Sequence, residues 1–270
     1  MQEIIRSPSN FNLKRARAVG AGREDGLVLL EGQRLVEEAM GAGWGLELVL
    51  VSDRMEAIAD ELMSRAGGDT AVQCVEHSLL ERVSPMKGAP GVLAIAREPE
   101  PYSLGQFGAP ESGLLVVAAG VQDPGNLGAI ARAAEAAGAT GLVVAGAGAR
   151  PFGSKALRGS MGSLLRLPVA VEPDGTECAR SLGQAGWRQA LATARDGVPF
   201  AEFNWKGPLA LWLAAESGDL PAGVDAERFE GITIPMAGAV ESLNVATAAA
   251  ILCFAAGRVQ DSKKARGEQS

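Results

Sequence analysis

The chain has 270 residues, of which 47% are hydrophobic and 4% aromatic, and carries a formal net charge of −7. That length suits one large domain or two ordinary ones, and the acidic balance argues against a protein that coats nucleic acid through bulk charge. The 35 glycines follow no collagen-like period, no apolar run reaches membrane-spanning length, and the 3 cysteines (Cys74, Cys178, Cys253) lie far apart in apolar runs without metal-ligand spacing, which points to reduced thiols in a cytoplasmic protein.

The opening "MQEIIRSPSNFNLKRARAVG" lacks the apolar centre of a secretion signal and carries a basic group, Lys14, Arg15 and Arg17, with Arg23 just beyond. "LVLLEG" (27–32) and "LELVLV" (46–51) read as strands. Leu35, Val36, Ala39 and Met40 between them recur at helical spacing, as do Met55, Ile58, Ala59, Leu62 and Met63 after them. With "AVQCVE" and "GVLAIA" as further strands, a small α/β domain is expected over 1–96. His77, the single histidine, precedes "SLLERV" and reads as a helix-start or surface residue. "REPEPYSLGQFGAPES" (97–112), with three prolines and two glycines, reads as a linker.

A second α/β series is expected over 113–259, followed by a flexible tail over 260–270. Strands are expected at "LLVVAAG", "GLVVAG", "RLPVAV", "RQALATA", "LALWLA" and "ITIPM", with a helix from about Asn126 to Ala137. Continuous apolar strands alternating with helices predict a mostly parallel sheet covered on both faces.

Three stretches carry polar groups that packing alone does not explain. In "VQDPGNLGAIARAAEAAG", a strand runs into Asp-Pro-Gly and a helix, with Arg132 beside a wall of alanines; an arginine placed there suits a phosphate or a carboxylate. In "GAGARPFGSKALRGSMGSLLRLPV", Pro151 stands where a dinucleotide fingerprint needs its third glycine, whereas Lys155 and Arg158 share a helical face within an acid-free stretch that also holds Arg150 and Arg166. In "IPMAGAVESLNVATAAAIL", a small-residue loop leads to Glu241, Ser242 and Asn244 at the mouth of an apolar helix, where Ser242 is placed to cap a helix starting at Leu243. A single histidine, far from all three, argues against a Ser-His-Asp hydrolase, and zinc ligands are missing.

Together, "DPGNLGAIARAAEAAGA", "RGSMGSLLRLPV" and "IPMAGAVESLNVATAAAIL" resemble, in order, the three motifs of the SpoU (TrmH-like) family of RNA ribose 2′-O-methyltransferases. "LVLLEGQRLVEEAMGAG" and "GAPGVLAIA" resemble that family's L30e-like substrate-binding domain, so the likeness covers nearly the whole chain. The resemblance implies an α/β trefoil-knot (SPOUT) domain, S-adenosylmethionine as cofactor, RNA (ribosomal rather than transfer) as substrate, and a homodimer; the lack of a long apolar run and of metal-ligand spacing leads to an expectation of neither membrane nor metal. It implies that Ala214, Ile234, Met236 and Leu243 contact the cofactor. It places Arg132 at the ribose hydroxyl, with an RNA phosphate helping it accept or relay the proton, or with Arg132 stabilising a developing alkoxide. Asn126, Glu216, Ser242 and Asn244 match the family's other polar positions, while Lys14, Arg15, Arg17, Lys155 and Arg158 are the expected RNA contacts. Ala214, Ser217 and Asp219 stand where the family carries glycines, which leaves open an RNA-binding member with weak or lost cofactor binding.

Overall fold

The computed structural model describes residues 4–67, 70–84, 91–108, 111–215 and 219–267, with side chains to residue 258. The chain divides into two compact units, 1–100 with 152–166, and 101–151 with 167–270.

In the first unit, α1 (Phe11–Gly20) precedes β1 (Leu27–Glu31), α2 (Gln33–Gly41), β2 (Leu46–Ser52), α3 (Glu56–Arg65), β3 (Ala71–Val75), α4 (His77–Leu80) and β4 (Val92–Arg97). The strands lie in the order β1-β4-β2-β3; β4 runs antiparallel to both neighbours, and β2 and β3 are parallel. Leu13, Ala16 and Val19, three or four residues apart on α1, bury one stripe against Leu29, Leu50 and Ile95 of the sheet. His77 is the first residue of α4, with Nδ1 3.1 Å from the Ser52 hydroxyl.

The stretch expected to be a linker, 97–112, is divided between the units: its first four residues belong to the first, and the second unit begins at Pro101. Tyr102 pairs with Ala170, and Phe107 is buried beneath Trp187, whose indole N–H donates to the Phe107 carbonyl at 2.6 Å. Then come β5 (Gly113–Ala119), α5 (Pro124–Ala136) and β6 (Gly141–Ala145). The short helices α6 (Ser154–Ser160) and α7 (Ser163–Arg166) belong to the first unit. The second unit resumes with β7 (Val169–Glu172), α8 (Gly175–Gln184), β8 (Arg188–Thr193), β9 (Val198–Pro199), β10 (Pro208–Ala214), β11 (Glu230–Thr233) and α9 (Val245–Gly267). The last helix therefore continues past residue 260, where the sequence reading begins its tail. All seven strands are parallel, in the order β7-β6-β5-β10-β8-β11-β9. Every residue of β5 is buried, as expected of a central strand covered on both faces.

The order reverses between β5 and β10, a switch point of the kind at which α/β sheets leave a crevice beyond their carboxyl ends. The helix α5 is fastened at its start by Asp123, whose carboxylate accepts from the N–H groups of Gly125 (2.7 Å) and Asn126 (3.0 Å), with Pro124 in the first turn where a missing N–H does no harm. It packs against α9, and the approach is close: a Cβ on Gly257 would lie 2.6 Å from the Ala137 carbonyl oxygen.

Candidate cofactor and catalytic site

A cavity of about 420 Å³ opens at the carboxyl ends of β8, β10 and β11. Ala192, Ala194, Ala214 and Ala215 keep its strand side bare, and Ile234, Met236 and Leu243 supply apolar walls from the loop before α9. Among the described residues, Thr193, Ser242 and Asn244 are its polar side chains. The volume falls within the range of small-molecule sites, and so does the chemistry, a mostly apolar wall with a few convergent polar groups.

The four residues expected at a cofactor, Ala214, Ile234, Met236 and Leu243, all line this cavity. Ala214 is the last residue of β10, and neither it nor Asp219 has the positive φ at which a Cβ is strained. The methyl group at 214 therefore trims the cavity without distorting the backbone. Sequence reasoning missed Ala192, Thr193 and Ala194. Their only signal is position, at the carboxyl end of a strand that neighbours β10.

The helix start differs from expectation. α9 begins at Val245, and its cap is Asn244 rather than Ser242: the Asn244 Oδ1 accepts from the N–H groups of Ala246 (2.9 Å) and Thr247 (3.4 Å), and its carbonyl accepts from Ala248 at 3.0 Å. The physical reason lies in Leu243, which lines the cavity instead of opening the helix, so the helix starts two residues later than expected. The Asn244 Nδ2 donates to Asn126 Oδ1 at 3.1 Å, joining the first and third motifs.

Arg132 sits elsewhere on α5. With Gly125, Ala129 and Ala136 it forms the open stripe opposite buried Leu127, Ile130, Ala131 and Ala134. Its side chain is exposed, makes no hydrogen bond or ion pair among the described residues, and does not line the cavity. Glu216 lies outside the described residues, as does Ser217. Glu241 faces Arg195 at 3.7 Å, both largely exposed.

The expected RNA contacts divide by partner. Arg15 reaches Glu47 at 2.5 Å and Glu24 at 3.3 Å, and Arg17 donates to the Arg82 carbonyl at 3.3 Å. Arg158 pairs with Glu31, a buried carboxylate that also accepts from the Ser84 hydroxyl. Arg166 pairs with Glu38 at 2.7 Å. Lys155 is engaged within the structure, whereas Lys14 is exposed and has no side-chain partner among the described residues. Hydrogen bonds from Arg97 and Arg15 hold the Glu47 carboxyl below the ordinary glutamate range. Burial pushes Glu38 up, but the guanidinium groups of Arg166 and Arg34 outweigh it and leave its pKa lowered. Burial pushes the Cys178 and Cys253 thiols up to about 12, so neither is a nucleophile at neutral pH. Among the described residues no cluster of metal-ligating side chains occurs, and no helix is long and apolar enough to cross a membrane.

Comparison with known proteins is consistent along the chain. The model of the SpoU rRNA Methylase family matches residues 113–254, and that of the MRM3-like substrate binding domain matches residues 4–94. The 23S rRNA (guanosine(2553)-2′-O)-methyltransferase of Bacillus subtilis is 32% identical over 234 residues, which are 84% of this chain and 86% of that protein. The 23S rRNA (uridine(2479)-2′-O)-methyltransferase of Streptomyces viridochromogenes is 30% identical over 241 residues, 86% of this chain and 83% of that one. The AdoMet-bound rRNA methyltransferase from Sinorhizobium meliloti superposes with a TM-score of 0.83 at 28% identity, covering 95% of this chain and 97% of its own.

Proposed function

The chain belongs to the SpoU rRNA methylase family and is an S-adenosylmethionine-dependent rRNA ribose 2′-O-methyltransferase; from that premise we propose which of its residues hold the cofactor and which act on the ribose. The observation that carries the assignment is the cavity at the ends of β8, β10 and β11, lined by all four residues that the family resemblance assigns to the cofactor. Its chemistry fits. Small strand residues leave room for a flat purine, Ile234, Met236 and Leu243 cover apolar surface, and Thr193, Ser242 and Asn244 offer hydrogen bonds. When bound, S-adenosylmethionine supplies an electrophilic methyl group carried on a sulfonium.

The chain must present a ribose oxygen and manage its proton. A hydroxyl is a poor nucleophile until its proton is shared or removed. The Arg132 guanidinium stabilises the charge that builds on the ribose oxygen as the hydroxyl proton passes to an RNA phosphate or to solvent. Asn244 is held on both sides, its oxygen by the start of α9 and its amide nitrogen by Asn126. A doubly held amide positions other groups and does not carry protons. Ser242, exposed at the cavity rim, completes this polar edge.

Arg132 and the cavity do not meet within one chain, and the open stripe around Arg132 is built from small residues. Phe254 of α9 is 50% exposed and Val240 of the cavity loop 56%. These features support a homodimer in which Arg132 of one copy serves the cavity of the other. RNA would be gripped by the first unit, with Lys14 contributing free charge.

The test is calorimetric titration with S-adenosylmethionine, alongside transfer of a labelled methyl group to 23S rRNA. The label should survive alkaline hydrolysis, because a methylated 2′-oxygen cannot attack the neighbouring phosphate. Ala214→Trp should fill the cavity and abolish binding and transfer together; undiminished binding would move the cofactor site elsewhere.

A further inference from the structure

Beside α1, the first unit carries a groove of about 550 Å³ that no step of the methyl transfer uses. Ile4, Ile5 and Val72 make it apolar, and Ser7, Asn10 and Gln73 give it polar sides. It lies along β3, the edge strand of its sheet. Ile5 covers part of that edge, donating to the Cys74 carbonyl and accepting from the Glu76 N–H. By the two-residue period of a strand, the peptide group of Val72 faces the same side, next to the groove.

The polar sides are oriented. The Gln73 oxygen is held by the Asn12 side-chain amide at 2.8 Å, and the Asn10 oxygen by the Asn12 backbone N–H at 2.8 Å. With their oxygens engaged, both side chains keep amide N–H groups that pair with nothing among the described residues and can act as donors. Such donors match the carbonyl oxygens on the edge of an unpaired base.

Next to Asn10 stands Phe11, the most exposed large apolar side chain among the described residues at 73%. Lys14 follows one turn later on the same face of α1, and Arg6 contributes to the groove itself. Both cations are exposed and free of ion pairs among the described residues, unlike Arg15, which is held by Glu24 and Glu47. Among the described residues no acidic side chain lines the groove. An exposed aromatic ring, an apolar floor, amide donors and unneutralised cations together are what a single-stranded nucleotide requires, since stacking is indifferent to sequence and phosphates seek free charge.

We propose that this groove, with Phe11 as a stacking platform and Arg6 and Lys14 as phosphate contacts, binds an unpaired nucleotide of the RNA substrate. The proposal rests on the reading of the chain as an RNA methyltransferase and adds the part of the first unit that grips single-stranded RNA.

The experiment uses the full chain with a short fluorescein-labelled oligouridylate, and with the same strand annealed to oligoadenylate. Phe11→Ala should weaken binding of the single strand about tenfold, within the range measured for loss of one stacked base, while Phe11→Trp restores it. Lys14→Ala should reduce the slope of log affinity against log salt by about 0.7. Duplex binding should change less than twofold with either Phe11 variant. Phe11 touches solvent over most of its surface, so an unchanged melting temperature for Phe11→Ala is expected and guards against a folding artefact. Unchanged single-strand affinity in Phe11→Ala overturns the proposal, as does equal loss on the duplex. A shift in sedimentation with RNA affinity intact would make the patch a protein contact and overturn it too. Failure of the underlying reading looks different: the unaltered protein would transfer no methyl group to rRNA, whatever Phe11→Ala does to oligouridylate binding.

Discussion

At the scale of single residues, Asn244 shows how one side chain serves both fold and chemistry. Its oxygen caps α9, and its amide nitrogen ties that helix to Asn126. The two roles separate by mutation. Asn244→Ala removes both and should cost about 1 kcal/mol of stability, the usual value of an N-cap. Asn244→Asp keeps a capping oxygen and loses the donor to Asn126, so its melting temperature should stay near that of the parent while single-turnover methyl transfer falls tenfold or more. A wild-type rate in Asn244→Asp would remove the Asn126 contact from the catalytic arrangement. The sequence announces this corner clearly, since polar residues at the mouth of an apolar helix demand partners. It does not say which of Ser242 and Asn244 is the cap, because both are good capping residues two positions apart. That choice depends on Leu243 entering the cavity, a tertiary event. In the same way, the letters at 214 suggest strain where the family has glycine, and only the extended backbone at the end of β10 shows that a methyl group is tolerated.

At the scale of elements, periodicity reports a strand or a helix but not its neighbour. The apolar strands are legible because both faces are buried and every position is selected alike. The helix α1 is less so, because Lys14, Arg15 and Arg17 interrupt its short buried stripe. Nor does spacing show that α6 and α7 join the first unit, where the Ser154 hydroxyl donates to the Leu29 carbonyl at 3.1 Å and the Trp44 indole to the Leu165 carbonyl at 3.2 Å. The cations that read as an RNA-facing stripe are partly taken up there, Arg158 by Glu31 and Arg166 by Glu38. The carboxylate contacts of Glu38 and Glu47 tie stability to pH. Glu47 and Glu38 have lowered pKa values in the fold. Their contribution is therefore complete above the unfolded-state value of about 4.3 and disappears as pH falls through the folded-state values. Urea unfolding followed at several pH values should show stability dropping on the acid side of pH 5, and Glu47→Gln should flatten that drop. Both carboxylates are partly exposed, so solvent screening keeps each contribution modest. An identical acid profile in Glu47→Gln would show that other groups govern it.

At the scale of the whole molecule, Arg132 lies on an open stripe of α5 and is not among the residues that line the cavity. A two-fold dimer is the economical way to bring them together, since an isologous interface uses each surface twice and builds two sites from two chains. The idea makes a quantitative prediction that a single-chain site does not share. Arg132→Ala should abolish methyl transfer with cofactor binding intact, because the interaction is felt in the transition state. Ala214→Trp should abolish both. Each variant alone is then inactive, for different reasons. In a mixed dimer, the intact cavity of the Arg132→Ala chain would face the intact Arg132 of the Ala214→Trp chain, giving one working site of two. Random exchange of subunits makes half of the dimers mixed, so equal amounts should recover about a quarter of the parental activity. Sedimentation at the assay concentration should show the dimer. If the dimer forms, exchange is verified with differently tagged chains, and the mixture stays inactive, then Arg132 does not act on a second copy's cavity and the arrangement proposed here is wrong.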